Sequence, residues 1–273
     1  ADKTGYADAL TTLFQLLAQG HGSTPTCTLE DSPRFTHRGI MLDCCRHFYA
    51  ADEVKKILEQ MSLLKLNRFH WHLGDDQGFR IESKKFPSLN QIGSWRKLSP
   101  DDPVVQQGKA LAGETYGGFY TQAEIRDVVA YAAARGITVI PEIDLPGHSS
   151  AILAAFPQYT CTQKPLAVRN TFGVHSRIFC AGNEEAYAFL YDLLDEILTL
   201  FPGKYIHLGG DEAPKSSWKV CPNCRKVMEA QHFSSYEQLQ CWFTGRLAKY
   251  ICEKGRTPIT WNEAAYSGTL DEN

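Results

Sequence analysis

Five short apolar runs of this 273-residue chain each end in side chains that can bind, donate or accept protons. They close on Asp43-Cys-Cys-Arg46-His47, on His70-Trp71-His72 through Asp75-Asp76, on Glu142-Ile143-Asp144 through Gly147-His148, on His207 through Gly209-Gly210-Asp211-Glu212, and on Trp261-Asn262-Glu263. The sharpest of these is Gly209-Gly210-Asp211-Glu212. Two glycines let the backbone leave a strand in conformations that other residues resist, so two adjacent carboxylates can enter one cleft. Adjacent carboxylates repel, which can raise the proton affinity of one and suit it to proton donation near neutral pH. An isolated Asp-Glu reads as a solvated turn. Facing four other polar strand ends, Asp211 and Glu212 read as a catalytic pair. A metal-dependent hydrolase is the competing chemistry: His70 and His72 share one face of a strand, and His148, His207 and Asp144 could complete a zinc shell.

The elements that must position these groups alternate along the chain. Arg38–Asp43, Asn67–Leu73, Ile137–Ile143 and Lys204–Leu208 read as buried strands, and Pro258–Trp261 begins a fifth. Amphipathic helices are expected at Asp52–Lys65, at Thr121–Arg135 with a Thr121-x-x-Glu124 capping box, at Glu184–Leu200, and from a Ser234-x-x-Glu237 cap to about Gly255. An opening helix spans about Tyr6 to Ala18. Strands alternating with helices predict an α/β fold of parallel βα units with right-handed crossovers. The long segments 74–120, 144–183 and 209–234 all follow strands, on the side where such folds bind ligands. Residues 1–33 read as a leading helix and linker, and 34–273 as the catalytic unit.

Composition narrows the classes. Hydrophobic residues make up 43% and charged residues 22%, with a net charge of −3, which excludes a disordered or collagen-like chain. No Lys/Arg block points to nucleic acid, and no apolar run approaches the ~18 residues of a membrane span. Ala1-Asp2-Lys3 opens no signal-peptide core, so any export signal is expected to have been removed. Among the nine cysteines, Cys161 and Cys180 flank a loop and could form a disulfide in an exported chain. Cys221-Pro-Asn-Cys224 has zinc-knuckle spacing, but no second close pair follows it, so a local disulfide or plain thiols are expected. Cys44 and Cys45 read as small buried hydrophobes inside a strand, and Cys241 and Cys252 as neighbours on one helix face.

Several motifs occur in one order over most of the chain: LDCCRHF (Leu42–Phe48), KLNRFHWHLGDDQGFRIE (Lys65–Glu82), ITVIPEIDLPGH (Ile137–His148), KYIHLGGDE (Lys204–Glu212) and TWNE (Thr260–Glu263). In these the run from Arg38 to Trp261 resembles the family 20 glycoside hydrolases, the β-N-acetylhexosaminidases. The resemblance implies a (β/α)8 TIM barrel that removes terminal N-acetyl-β-D-hexosamine residues from glycans. It also implies a retaining mechanism in which the substrate's own acetamido oxygen is the nucleophile. Glu212 would then be the acid/base and Asp211 the group that orients the acetamido N–H. Arg46 and Asp75 would bind the sugar, His148 would lie beside them with Asp144 fixing its tautomer, and Trp261 would wall the pocket. The resemblance implies no metal or other cofactor, and an exported enzyme. The leading helix looks like the end of a small α/β domain that precedes such barrels. Only about five of eight βα units are legible, so the chain is expected to be a partial barrel, with the remainder as its partner and doubtful activity on its own. A non-catalytic sugar-binding or inactive relative is the other reading.

Overall fold

A computed structural model describes residues 3–265; the last residues of the expected 34–273 unit lie outside that range. Five parallel strands, β1 (Gly39–Asp43), β2 (Arg68–Asp75), β3 (Thr138–Ile143), β4 (Tyr205–His207) and β5 (Thr257–Ile259), pair in sequential order in one sheet. Each strand pairs with the next after a helical crossover, as in a barrel wall. Besides the single turn Pro103–Gln106, the α-helices are α1 (Lys3–Gln19), α2 (Ala51–Leu63), α3 (Gln122–Ala133), α4 (Ser150–Ala155), α5 (Glu184–Leu198), α6 (Ser216–Val220), α7 (Pro222–Ala230) and α8 (Tyr236–Glu253). Each expected strand and helix is present within a few residues.

Period-two alternation divides the sheet into two faces. Phe69, Trp71 and Leu73 of β2 are fully buried with Val54 and Leu58 of α2 and Ile125 and Val128 of α3, forming the apolar layer between sheet and helices. His70 and His72 lie on the opposite face. Register then sets their neighbours: Asp43 pairs with His72, His72 with Glu142, and Glu142 with His207. One polar row therefore crosses four strands at the ~4.8 Å strand spacing.

Buried Arg80 holds the turn after β1. Its guanidinium donates to the carbonyls of Cys44 at 2.9 Å, Cys45 at 2.6 Å, Ser94 at 2.7 Å and Gly118 at 2.9 Å. This cation has no carboxylate partner among these contacts; backbone dipoles satisfy it and lock the turn that carries Arg46. Cys44 and Cys45 are buried as expected, but in that turn and not inside the strand.

Three expectations are corrected here. The last helix is capped by Ser235, whose hydroxyl accepts the Gln238 N–H, and not by Ser234 with Glu237. Consecutive serines offered two boxes, and the extended backbone of Ser235 (φ −140°, ψ 156°) selects the second. Cys241 is buried while Cys252, in the last turn of α8, is exposed. Cys161 and Cys180 are free thiols, and they are themselves the second pair that Cys221 and Cys224 lacked downstream.

Two surfaces are open. The edge strand β1 leaves Ile40 and Met41 about 40% exposed. Along α1, Tyr6, Leu10, Leu13, Phe14 and Leu17 form an exposed apolar stripe, although their spacing is that of a core-facing helix.

Candidate active site

The polar row converges on Glu142, whose side chain is fully buried. Oε2 lies 2.5 Å from His72 Nδ1 and 2.7 Å from His70 Nε2, and Oε1 lies 3.1 Å from His207 Nδ1. The Trp261 indole N–H donates to Oε1 at 3.0 Å. Burial alone would raise the Glu142 pKa, but the surrounding imidazoles of His207, His70 and His72 outweigh it and hold the carboxyl well below the usual range. The Trp261 ring, with its centroid 4.7 Å from His207 and 5.7 Å from His70, is thereby fixed in orientation at the end of β5.

His72 passes this order outward. Its Nε2 lies 2.7 Å from Asp75 Oδ2, and burial, which would lower its pKa, is overcome by Asp75 and Glu142. The same Asp75 oxygen lies 2.6 Å from Arg46 Nη1, which also meets Asp43 Oδ2 at 3.0 Å. Asp75 is fully buried, yet the nearby His148 and His72 imidazoles and the Arg46 charge hold its pKa below the ordinary carboxylate range. Arg46 keeps a quarter of its side chain exposed. Beside it opens a cleft of about 450 Å³ lined by His47, Gln77, Arg96, Asp102 and Phe172. Part of that wall comes from the start of the 97–120 insert, which folds back as a hairpin of Trp95–Lys97 on Thr115–Gly117.

At the rim, His148 joins two pairs of carboxylates. Nδ1 lies 3.2 Å from Asp76 Oδ2 and 3.5 Å from Asp75 Oδ1; Nε2 lies 3.4 Å from Glu212 Oε2 and 3.9 Å from Asp211 Oδ2. Burial would favour the neutral ring, but Asp75 and Asp76 push its pKa up to about 11, so the imidazolium persists at neutral pH. Glu212 is half exposed and Asp211 about a third exposed. Both Glu212 (φ 46°) and His148 (φ 46°) adopt the left-handed region, where non-glycine residues are uncommon. Gly209 (φ 66°) makes the turn possible in a second way: a Cβ there would meet the Asp144 carboxylate at 2.0 Å. The Glu212 N–H donates to Glu263 Oε2 at 2.7 Å, tying the turn to the segment after β5.

Arg46, Asp75, His148, Asp211 and Glu212 thus come together along one rim, with Trp261 on the neighbouring wall. Asp144 is placed differently from expectation. It makes no hydrogen bond to His148; its Oδ1 accepts the Gly210 N–H at 2.9 Å and its carboxyl abuts Asp211. Burial and the adjacent Asp211 raise its pKa well above the usual value, and its bond to the Gly210 N–H braces the turn from beneath. The residues of the competing zinc shell do not gather at one point either. His70 and His207 meet at Glu142, whereas His148 and Asp144 group with Asp211, and both nitrogens of His72 are engaged by carboxylates.

Sequence reasoning missed Glu142 as the hub and Asp76 as the partner of His148. The signal for Glu142 was its register beside His72 and His207, which only strand pairing reveals.

A sequence profile of glycosyl hydrolase family 20, catalytic domain, matches residues 35–273. A beta-hexosaminidase of Porphyromonas gingivalis is 42% identical over 246 residues, covering 90% of this chain and 30% of that protein. The crystal structure of a beta-N-acetylhexosaminidase from Bacteroides fragilis superposes with a TM-score of 0.83 at 39% identity, covering 96% of this chain and 49% of that one. An exo beta-N-acetylglucosaminidase from Vibrio harveyi, solved in complex with N-acetylglucosamine, superposes with a TM-score of 0.81 at 37% identity, covering 98% and 42%. The chain spans about a third to a half of the length of the curated relatives it matches. No helix among the described residues is long and apolar enough to cross a membrane.

Proposed function

The chain belongs to glycosyl hydrolase family 20, and on that premise we propose that the protein carrying it is an exo-acting β-N-acetylhexosaminidase working by substrate assistance. The observation that carries this reading is the line Asp75–His148–Glu212 with Asp211 beside it. In the first step the substrate's acetamido oxygen attacks the anomeric carbon as the glycosidic C–O bond breaks. Glu212 gives its proton to the departing oxygen. His148, kept cationic by Asp75 and Asp76, faces the carboxylate that this leaves behind and stabilises it. In the second step Glu212 takes a proton from water, which opens the oxazolinium ring and restores the acid with retention at the anomeric carbon.

Asp211 remains an anion that accepts the acetamido N–H and offsets the positive charge developing on the ring. Asp144 braces it from below. The guanidinium of Arg46, anchored by Asp75 and Asp43, donates its remaining N–H groups to sugar hydroxyls. The indole of Trp261 supplies an apolar wall for the acetamido methyl. The cleft beside Arg46 extends this subsite along the 97–120 insert. Glycans ending in N-acetylhexosamine are the substrate class.

The outer edges of β1 and β5, which pair with no further strand among the described residues, are read as pairing with the rest of a (β/α)8 barrel, and the apolar stripe of α1 as covered by a preceding domain. That arrangement makes residues 1–33 the trailing edge of one domain and residues from 34 onward part of the barrel. An exported enzyme accords with a glycan substrate.

The test uses the full-length protein and two aryl β-glucosides that differ only at C2. The 2-acetamido substrate should be hydrolysed and the 2-hydroxy substrate should not, because only the first carries the nucleophile. Comparable turnover of both contradicts substrate assistance.

A further inference from the structure

Away from the sugar-binding rim, four cysteines from two separate loops meet. Cys161 follows α4, Cys180 closes the same loop after β3, and Cys221 and Cys224 flank the start of α7 in the segment after β4. Sγ of Cys180 lies 3.6 Å from that of Cys224 and 3.7 Å from that of Cys221, and Sγ of Cys161 lies 3.8 Å from that of Cys224. All four sulfurs fall within 4.8 Å of one another. A zinc ion with Zn–S bonds of about 2.3 Å sets four thiolates about 3.8 Å apart along the edges of a tetrahedron.

We infer that Cys161, Cys180, Cys221 and Cys224 form a structural zinc site that joins the two loops bearing the catalytic groups. Three independent features support it. Cys180, Cys221 and Cys224 are buried and Cys161 is half-buried, giving a closed set of four protein ligands with no position left for substrate. An all-sulfur tetrahedron selects a soft, tetrahedral ion over calcium or magnesium. The backbone is also shaped for it. Gly182 packs so closely on the Asn223–Cys224 peptide that a Cβ would sit 2.3 Å from the Asn223 carbonyl carbon, and its N–H reaches the Cys180 sulfur. On binding, the thiols release their protons and the sulfurs take the metal in their place.

The consequence is mechanical. One loop carries His148 and the other begins with Asp211 and Glu212. The ion would clamp these two loops together without touching the reaction. Beside the cluster, Trp218 Nε1 donates to the Phe179 carbonyl at 2.8 Å, the nearest protein-only tie between the same segments.

The test is elemental analysis and intact mass of the full-length protein, purified without added metal or chelator. The expected result is one zinc per chain, released by an organomercurial in step with four thiols, and lost from Cys224→Ser but not from Cys252→Ser, whose thiol is exposed and outside the cluster. Should Cys224→Ser fail to fold, the wild-type titration alone decides. Absence of metal with four freely alkylated thiols would overturn the site, as would iron in place of zinc. A denatured mass two hydrogens short for each bond formed would replace it with disulfides. Zinc content is read independently of hydrolysis, so it can fail while the glycosidase reading stands.

Discussion

Glu142 and Glu212 are carboxylates carried by adjacent strands, yet they are held in opposite ways. Glu142 is fully buried and its two oxygens meet three imidazoles and an indole N–H. Glu212 is half exposed, sits on left-handed backbone, and its side chain faces one imidazolium at 3.4 Å. The first arrangement is closed within this chain, with all its groups gathered on one buried carboxylate. The second leaves a carboxylate reachable from solvent and rigid at its backbone, which is what a proton carrier for an incoming substrate needs. On the proposed reading the interior row carries stability and the rim chemistry, with His72, Asp75 and His148 connecting them.

Substitutions can break this division. Glu142→Ala strands three imidazoles and the Trp261 N–H in the interior, and should cost on the order of 3–5 kcal/mol in denaturant unfolding of the full-length protein. Glu212→Gln should change stability by less than about 0.5 kcal/mol. Equal costs at the two positions would dissolve the distinction. Arg80→Met comes next. It leaves four buried carbonyls without their donor and should cost on the order of 3 kcal/mol, with weakened substrate binding because the Arg46 turn loosens. A variant as stable as wild type would show that water replaces the guanidinium.

A pH-dependent effect sharpens the link between the regions. The pKa of His148 is raised from 6.5 to about 11, so the stability gained from its protonation is complete below pH 6.5 and drains away as pH rises toward 11. The groups facing it are Asp75, Asp76, Asp144, Asp211 and Glu212. Between pH 7 and pH 10 the wild type should lose stability faster than His148→Gln, by no more than the ~1.4 kcal/mol per pH unit that one proton allows. Parallel melting curves for the two would mean that His148 is not cationic in the folded state.

Much of the rim could be read from sequence, and the reasons are physical. Strand alternation marked the buried faces, and the two glycines before Asp211 announced a turn that leaves the strand sharply. The interior row was hidden, because Glu142 acquires its meaning only when register sets it beside His72 and His207. Arg80 was hidden for another reason: its acceptors are backbone carbonyls from three segments, and carbonyls leave no mark in residue types. Asp144 was misjudged as the orienting group of His148 because spacing suggested contact, whereas the chain turns between them and aims Asp144 at Gly210. The cysteine cluster was hidden because Cys221 and Cys224 have no second close pair downstream. The fold supplies Cys161 and Cys180 from upstream.

The central claim is that Glu212 carries the proton to and from the glycosidic oxygen. It is tested most directly by kcat/KM of full-length wild type and Glu212→Gln on aryl N-acetyl-β-glucosaminides whose leaving groups differ in basicity. The account predicts a loss of ~10²–10⁴-fold on a poor leaving group and a much smaller loss on an acidic phenol that departs without a proton. Equal activity of the two proteins on the poor leaving group would contradict it.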